Sequence, residues 1–248
     1  MRLRIIMAAL IACASVPMTG QTAPGFSLSA DEVIARMSAR DVQRETMAGG
    51  YTGTRQYDLE NHLFAKHAQM IVNVACDPDR KRHFQVVSKE GWNFGNNALR
   101  QALETESNIS RPSVRPMTLV TKDNYASQMI GTALLNGRIA YVIDVVPKRQ
   151  DVYLFRGRIW VDAEDYALAR MEGQLAKTPS YWIRTVRFTF EFRKSGEYWF
   201  PWLSTSTSEV RMLGATDVTI RFFDYSPVSV SVVGQSALSS MEASYVKH

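Results

Sequence analysis

The sequence predicts a mainly β (α+β) protein built on one long, curved antiparallel sheet. Apolar and polar residues alternate with a period of two through successive segments between residues 139 and 225, as in strands with one buried and one solvated face. Parallel sheets, whose strands are apolar on both faces, do not give this pattern. Aromatic residues gather on one of the two faces. We therefore expect a sheet whose apolar side is covered by helices.

The aromatic face is clearest in two segments. Residues 182–193 place a row of apolar side chains at even positions: Trp182, Val186, Phe188, Phe190 and Phe192. Residues 152–162 place Tyr153, Phe155, Ile159 and Val161 on one side, with Arg156, Arg158 and Trp160 on the other. Gly157 interrupts this second strand and indicates a bulge or a close approach of another backbone.

Helices and further strands precede the aromatic half. Ser29 and Glu32 form a capping box that begins a helix, with Ile34 and Met37 on its apolar side and an end near Gly49-Gly50. Strands are expected at 51–57, 68–76 and 83–88, and a second helix at 97–106. Two prolines make 109–117 a loop. One domain over residues 26–225 is predicted, followed by a strand or tail at 226–248.

The first 20 residues have the anatomy of a secretory signal peptide. Arg2 and Arg4 precede an apolar run of IIMAALIACASV, which is shorter than the ~20 residues of a membrane span. The protein is therefore expected to be exported to the periplasm. Leu10-Ile11-Ala12-Cys13 also has the form of a lipoprotein box, in which Cys13 would be acylated and anchor the chain to the outer membrane. The alternative is that Cys13 leaves with the signal.

Composition excludes several classes of function. The net charge is +5, or +3 once Arg2 and Arg4 are removed, which is too mild to indicate nucleic-acid binding. His62 and His67 lack carboxylates at zinc-motif spacing, and no nucleophile elbow, phosphate loop or dinucleotide fingerprint occurs. Asp162, Glu164 and Asp165 are interpreted as a turn. We expect no enzyme activity, no metal and no cofactor.

An ordered series of short motifs carries a family resemblance. The motifs are Tyr51-x-Gly53-x-Arg55-x-Tyr57, Asn124-Tyr125, Gly137-Arg138, Gly157-x-Ile159-Trp160-Val161-Asp162, Glu172-Gly173, Trp199-x-Pro201 and Asp224-Tyr225. Together they resemble the outer-membrane lipoprotein-sorting, or periplasmic lipoprotein-carrier-like, superfamily (LolA-like fold). The resemblance implies a strongly curved half-barrel sheet wrapped around helices, with an apolar cavity between them that takes acyl chains. Members latch the covering helix with an arginine; Arg55 lies on an early strand but is not matched to that position.

The expected lipid site is an aromatic and aliphatic wall. Its candidate residues are Ile34, Met37, Tyr153, Phe155, Trp182, Phe188, Phe190 and Phe192. Burying hydrocarbon yields about 0.8 kcal/mol per methylene, so such a wall needs no polar ligands. The competing interpretation is a plain core, because a well-packed sheet and helix leave no room for a ligand.

Three hypotheses follow. The first is a non-catalytic carrier of lipid or lipoprotein acyl chains in outer-membrane lipoprotein sorting or lipid transport. The second is an envelope sensor or protein-interaction module with a filled core, which would use exposed aromatics around Trp199–Trp202 to touch a partner protein or a membrane surface. The third, an envelope hydrolase, would need clustered titratable groups in the cavity.

The fate of Cys13 can be read from the mass of the exported chain. We expect the purified protein to lack about the first 20 residues, because the apolar run is a signal sequence. An intact mass that includes Cys13 together with acyl groups would instead establish the lipoprotein form.

Overall fold

The computed structural model describes residues 28–47 and 49–228. Two α-helices and ten strands occur in these ranges: α1 (Ala30–Met47), β1 (Tyr51–Asn61), β2 (Lys66–Cys76), β3 (Arg82–Gly91), α2 (Asn93–Ile109), β4 (Tyr125–Leu135), β5 (Arg138–Pro147), β6 (Phe155–Asp162), β7 (Leu168–Leu175), β8 (Ile183–Ser195), β9 (Tyr198–Val210) and β10 (Gly214–Pro227). A short 3-10 turn, Arg115–Met117, lies in the predicted loop. The predictions for the signal peptide, for Cys13 and for residues 229–248 lie outside the described ranges.

The ten strands form one open antiparallel sheet. Its order is β3-β2-β1-β10-β9-β8-β7-β6-β5-β4, so β3 and β4 are the edges of the described sheet. Every neighbouring pair is antiparallel, and β1 pairs with β10 along its whole length. The predicted class, an open antiparallel half-barrel with covering helices, is confirmed.

Pro201 lies in the part of β9 that pairs with one neighbour only. Because Pro201 cannot donate to a ladder, the segment Trp199–Trp202 suits a turn or an edge. In the structure Pro201 pairs with Phe192 of β8, whereas the register of β9 with β10 begins only at Leu203. Pro201 therefore has no register partner on the β10 side among the described residues, and the strand has a local edge there. A register shift between Glu191 and Phe192 also interrupts the β8 ladder at this point.

Helix α1 begins as the capping box predicts. The Ser29 N–H donates to Glu32 Oε2 over 2.7 Å, and the Glu32 N–H donates to Ser29 Oγ over 3.2 Å. One face of the helix is buried against strands β4–β6. The residues of this α1 cluster are Ala30, Val33, Ile34, Met37, Tyr125, Ile143, Val145, Leu154, Phe155, Ile159 and Val161.

Helix α2 covers the other half of the sheet. It contacts β1, β2 and β3. Its cluster, the α2 cluster, comprises Tyr57, Leu59, Ala68, Met70, Val72, Val74, Leu99 and Leu103. The helix lies close to the strands at Gly95, where an added Cβ would come within 2.9 Å of the Ala68 Cβ and 3.2 Å of a Leu59 methyl. The apolar side of the sheet is thus covered in two separate places.

Neither helix in the described ranges is long and apolar enough to cross a membrane.

Gly157 marks a close approach between strands, one of the two features expected from the sequence. It pairs with Gly173 across β6 and β7. A Cβ on Gly157 would lie 1.9 Å from the Glu172 carbonyl oxygen and 2.6 Å from the Gly173 Cα, and one on Gly173 would lie 2.3 Å from the Arg156 carbonyl oxygen. No side chain fits at either position without moving a strand.

Gly157→Ala tests this contact. We expect the free energy of unfolding to fall by at least about 2 kcal/mol, because the methyl group meets backbone that cannot rotate away. Urea denaturation measures the change. The control, Gly196→Ala, lies in a turn with φ of 59° and nothing within 4 Å of an added Cβ. It should lose only about 1 kcal/mol, the cost of the left-handed backbone. Equal losses in both variants would contradict the close approach.

Candidate binding site

The middle of the inner face lies between the two clusters. The ladder places Ser204 between Phe190 of β8 and Ile220 of β10, and Ser206 between Phe188 and Val218. Phe188 packs against the α1 cluster, whereas Val218 and Ile220 pack against the α2 cluster. Among the described residues, no side chain of β9 belongs to either cluster.

Small serine side chains line the inner face of this strand. Ser204, Ser206 and Ser208 alternate along the inner face of β9, and each has larger neighbours on at least one flanking strand. Phe188, Phe190, Val218 and Ile220 are all half-buried, not buried. We call the strip along Ser204, Ser206 and Ser208, with these four side chains as its walls, the serine trough.

The two ends of the trough differ chemically. At the Ser204 end, the Phe190 ring contacts the rings of Phe192 and Phe222 at centroid distances of 4.9 and 5.5 Å. The aromatic contacts continue from Phe222 to Tyr225. At the Ser208 end, the neighbouring residue of β10 is Thr216, whose hydroxyl accepts a hydrogen bond from the buried Asn61 amide over 2.8 Å. The trough is therefore aromatic at one end and polar at the other.

The predicted wall residues separate into three groups. Ile34, Met37 and Phe155 are buried in the α1 cluster and are 2%, 4% and 6% exposed. They fill the space under α1. Phe188, Phe190 and Phe192 share the inner face of β8, and Phe188 joins this row to Phe155 at a ring distance of 5.3 Å. These three residues lie beside the trough.

Tyr153 and Trp182 lie away from the trough. Tyr153 is in the turn before β6, where its N–H donates to Asp151 Oδ1. Trp182 precedes β8 and is 56% exposed. A register shift between Ile183 and Thr185 breaks the alternation that placed it in the aromatic row. Its ring contacts Tyr181 edge-on at 5.7 Å instead.

Sequence reasoning missed the serine row itself. The stretch from Ser204 to Ser208 reads STSTS, a period-two pattern of small polar residues. Read alone, it indicates a weak solvated strand. The residues of this stretch that face inward can be identified only when the neighbours of β9 are known.

Beside the aromatic end, Arg55 ties α2 to the sheet. Arg55 is 3% exposed and donates to Glu106 of α2 over 2.7 Å. It also donates to the hydroxyls of Tyr57 and Tyr225, over 3.1 and 2.7 Å. Arg82 of β3 donates to the second Glu106 oxygen over 2.7 Å. One carboxylate thus joins two strands to the helix.

Charge neighbours keep Glu106 ionised. Burial opposes ionisation, but the guanidiniums of Arg55 and Arg82 outweigh it and lower the pKa of Glu106 below its ordinary value. The carboxylate is 28% exposed, so part of its charge is screened by water. Burial also raises the pKa of Tyr57, to about 12, although Arg55 opposes that shift.

The acidic group after β6 is the predicted turn. The Asp162 carboxylate accepts N–H groups of Glu164 and Asp165 over 3.1 and 2.8 Å, and it pairs with Arg138 through two hydrogen bonds of 2.6 and 2.8 Å. Asp165 in turn accepts the Trp199 indole N–H. In the part of the chain that the structure describes, no three His, Cys, Asp or Glu side chains are grouped as metal ligands.

Glu106→Gln tests the tie between α2 and the sheet. We expect a loss of about 2–3 kcal/mol at pH 7, because two guanidiniums, one of them buried, lose their counter-charge. Since the folded-state pKa is lowered, the stabilisation is present above the unfolded pKa near 4.3 and is lost as the pH falls through the folded value. The difference in the free energy of unfolding between variant and wild type should therefore be smaller in acid than at pH 7. Urea denaturation at both pH values measures it.

The matched control is Glu104→Gln, an exposed glutamate on the same helix. It should change stability by less than about 0.5 kcal/mol at either pH. A pH-independent loss in the Glu106 variant would show that packing, not charge, holds α2.

Similarities to known proteins concern the fold. A domain from Vibrio parahaemolyticus named for outer membrane lipoprotein sorting is 10% identical, with 83% of this chain and 97% of that chain covered and a TM-score of 0.40. A LolA superfamily protein from Nitrosomonas europaea is 8% identical, with 82% and 96% covered and a TM-score of 0.37. A DUF1329 family protein from Desulfovibrio piger is 10% identical, with 79% and 91% covered and a TM-score of 0.37.

No curated protein matches the chain. A family profile does match, over residues 66–225, from β2 almost to the end of β10. The chain therefore belongs to the family of unknown function DUF5686.

Proposed function

We propose that this protein is a non-catalytic binding or carrier protein of the bacterial envelope that holds an acyl chain in the serine trough. The single observation that carries the proposal is the half-buried apolar strip between the two helix-covered clusters. A folded protein gains by covering such a strip. The sequence resemblance and the expected signal peptide support a periplasmic location and a role in lipoprotein sorting or lipid transport.

The trough suits a hydrocarbon chain in width. It is one strand wide, because its floor is β9 and its walls are the side chains of β8 and β10. A chain of about 12 methylenes buried there would gain on the order of 10 kcal/mol before the cost of ordering it. The serine hydroxyls on the floor are short, so the chain could lie against the apolar walls.

The polarity of the trough suggests how an amphiphile would lie. The hydrocarbon end would meet the rings of Phe190, Phe192 and Phe222. The carbonyl end would meet the hydroxyl groups of Ser208 and Thr216. Arg55 lies over the Phe222 ring at 5.0 Å, so movement of α2 would change the aromatic end first.

A second candidate is supported by the packing under α1. Ile34 and Met37 are buried there, so that half of the sheet is a filled core. An envelope sensor or protein-interaction module would use the same fold with such a core. Trp202, 43% exposed under the Arg193 guanidinium, is the aromatic residue it could present to a partner.

Ser206→Phe tests the acyl-chain proposal. We expect affinity for a fluorescent fatty acid to fall by about tenfold or more, because the new ring occupies the space of about two methylenes or more. Titration followed by fluorescence measures the affinity, and thermal unfolding checks the fold. The control, Thr205→Phe, adds the same ring to the opposite face of β9, where Thr205 is exposed. It should bind like wild type.

Two results would overturn the proposal. One is wild-type protein that takes up no fatty acid and yields no lipid on organic extraction. The other is equal binding by wild type and the Ser206 variant. Either result would move the partner-binding candidate to first place.

A further inference from the structure

A groove of about 680 Å³ crosses the outer face of β5–β8, opposite the α1 cluster. Two rows of outward side chains form its walls. One row is Val146, Arg156, Gln174 and Arg187, and the other is Asp144, Arg158, Glu172 and Thr189. Between them runs a row of residues that includes Gly157 and Gly173. The floor of the groove is therefore bare backbone.

The first row carries two positive charges that the protein does not neutralise. Among the described residues, neither Arg156 nor Arg187 has a carboxylate within ion-pair distance, and both are exposed. The two arginines flank Gln174 in the register across strands β6, β7 and β8. Strands lie about 4.8 Å apart, so the two Cα atoms are about 10 Å apart and both side chains can reach one group above Gln174.

The second row is arranged differently. Arg158 is paired with Asp144 over 2.6 Å, and Glu172 accepts from Arg170 over 2.9 Å. The carboxylates of Asp144 and Glu172 are 38% and 39% exposed. Their remaining lone pairs can accept hydrogen bonds from hydroxyl groups. The groove thus has a cationic wall facing a wall of hydrogen-bond acceptors.

We propose that this outer groove binds a phosphorylated polyol, with the phosphate between Arg156 and Arg187 and the hydroxyls toward Asp144 and Glu172. One guanidinium can pair with both oxygens of a carboxylate. Two guanidiniums match the three terminal oxygens and the double charge of a phosphate monoester. The size of the groove leaves room for more than a lone ion. The same chemistry is offered by a soluble polyol phosphate and by a glycerophosphate lipid headgroup.

Calorimetric titration with sn-glycerol 3-phosphate at low ionic strength tests the site, with glycerol as the uncharged comparison. We expect the phosphate compound to bind and glycerol not to bind. In the double variant Arg156→Gln/Arg187→Gln the affinity should fall by about tenfold or more, because both charge-assisted contacts are lost. The control is Arg184→Gln, which changes an exposed arginine of β8 outside the groove. It should retain wild-type affinity.

Vesicles distinguish the two sources of phosphate. Phosphatidylcholine vesicles with added phosphatidylglycerophosphate, whose headgroup ends in a phosphate monoester, should be bound by wild type and not by the double variant if the headgroup is the ligand. Binding of glycerol 3-phosphate without vesicle binding would identify a soluble ligand. The proposal is overturned if wild type binds neither probe, if the double variant binds as wild type does, or if Arg184→Gln loses as much affinity. The serine trough is on the other face, so Ser206→Phe should leave this binding unchanged.

Discussion

The pairing of β1 with β10 is the constraint on which the rest of the structure depends. Ten Cα pairs, from Tyr51–Pro227 to Asn61–Thr216, join β1 to β10. This ladder places the β1–β3 hairpins beside the meander of β4–β10 and makes one sheet from two. Contacts so distant in sequence cost loop-closure entropy, which the long ladder and the buried side chains on its inner face offset.

The two halves joined in this way are covered separately. Helix α1 precedes β1 along the chain but packs on strands β4–β6. Helix α2 follows β3 and packs on β1–β3, the strands that directly precede it. Each helix is buried along a single stripe, and a single stripe covers only a few strands. The strands in the middle are consequently left with apolar walls and a floor of serines, and this arrangement makes a binding strip possible without a large enclosed cavity.

Charges are used differently on the two faces. On the inner face, Arg55 and Glu106 are paired through a hydrogen bond of 2.7 Å, and removing either would leave a charge in a poorly hydrated place. On the outer face, ion pairs such as Arg158–Asp144 are partly exposed and contribute little to stability. The fold therefore depends little on such partly exposed pairs.

The sequence by itself determined the local elements. The capping box at Ser29 and Glu32 and the period-two alternation of Phe188, Phe190 and Phe192 depend only on neighbouring residues. Tertiary structure alone decided which strand lies beside which. That is why Trp182 was counted in the aromatic row, from which a register shift displaces it, and why the STSTS strand gave no sign of a trough. A strand's two faces are equivalent until its partners, set by long-range pairing, make one of them the inside.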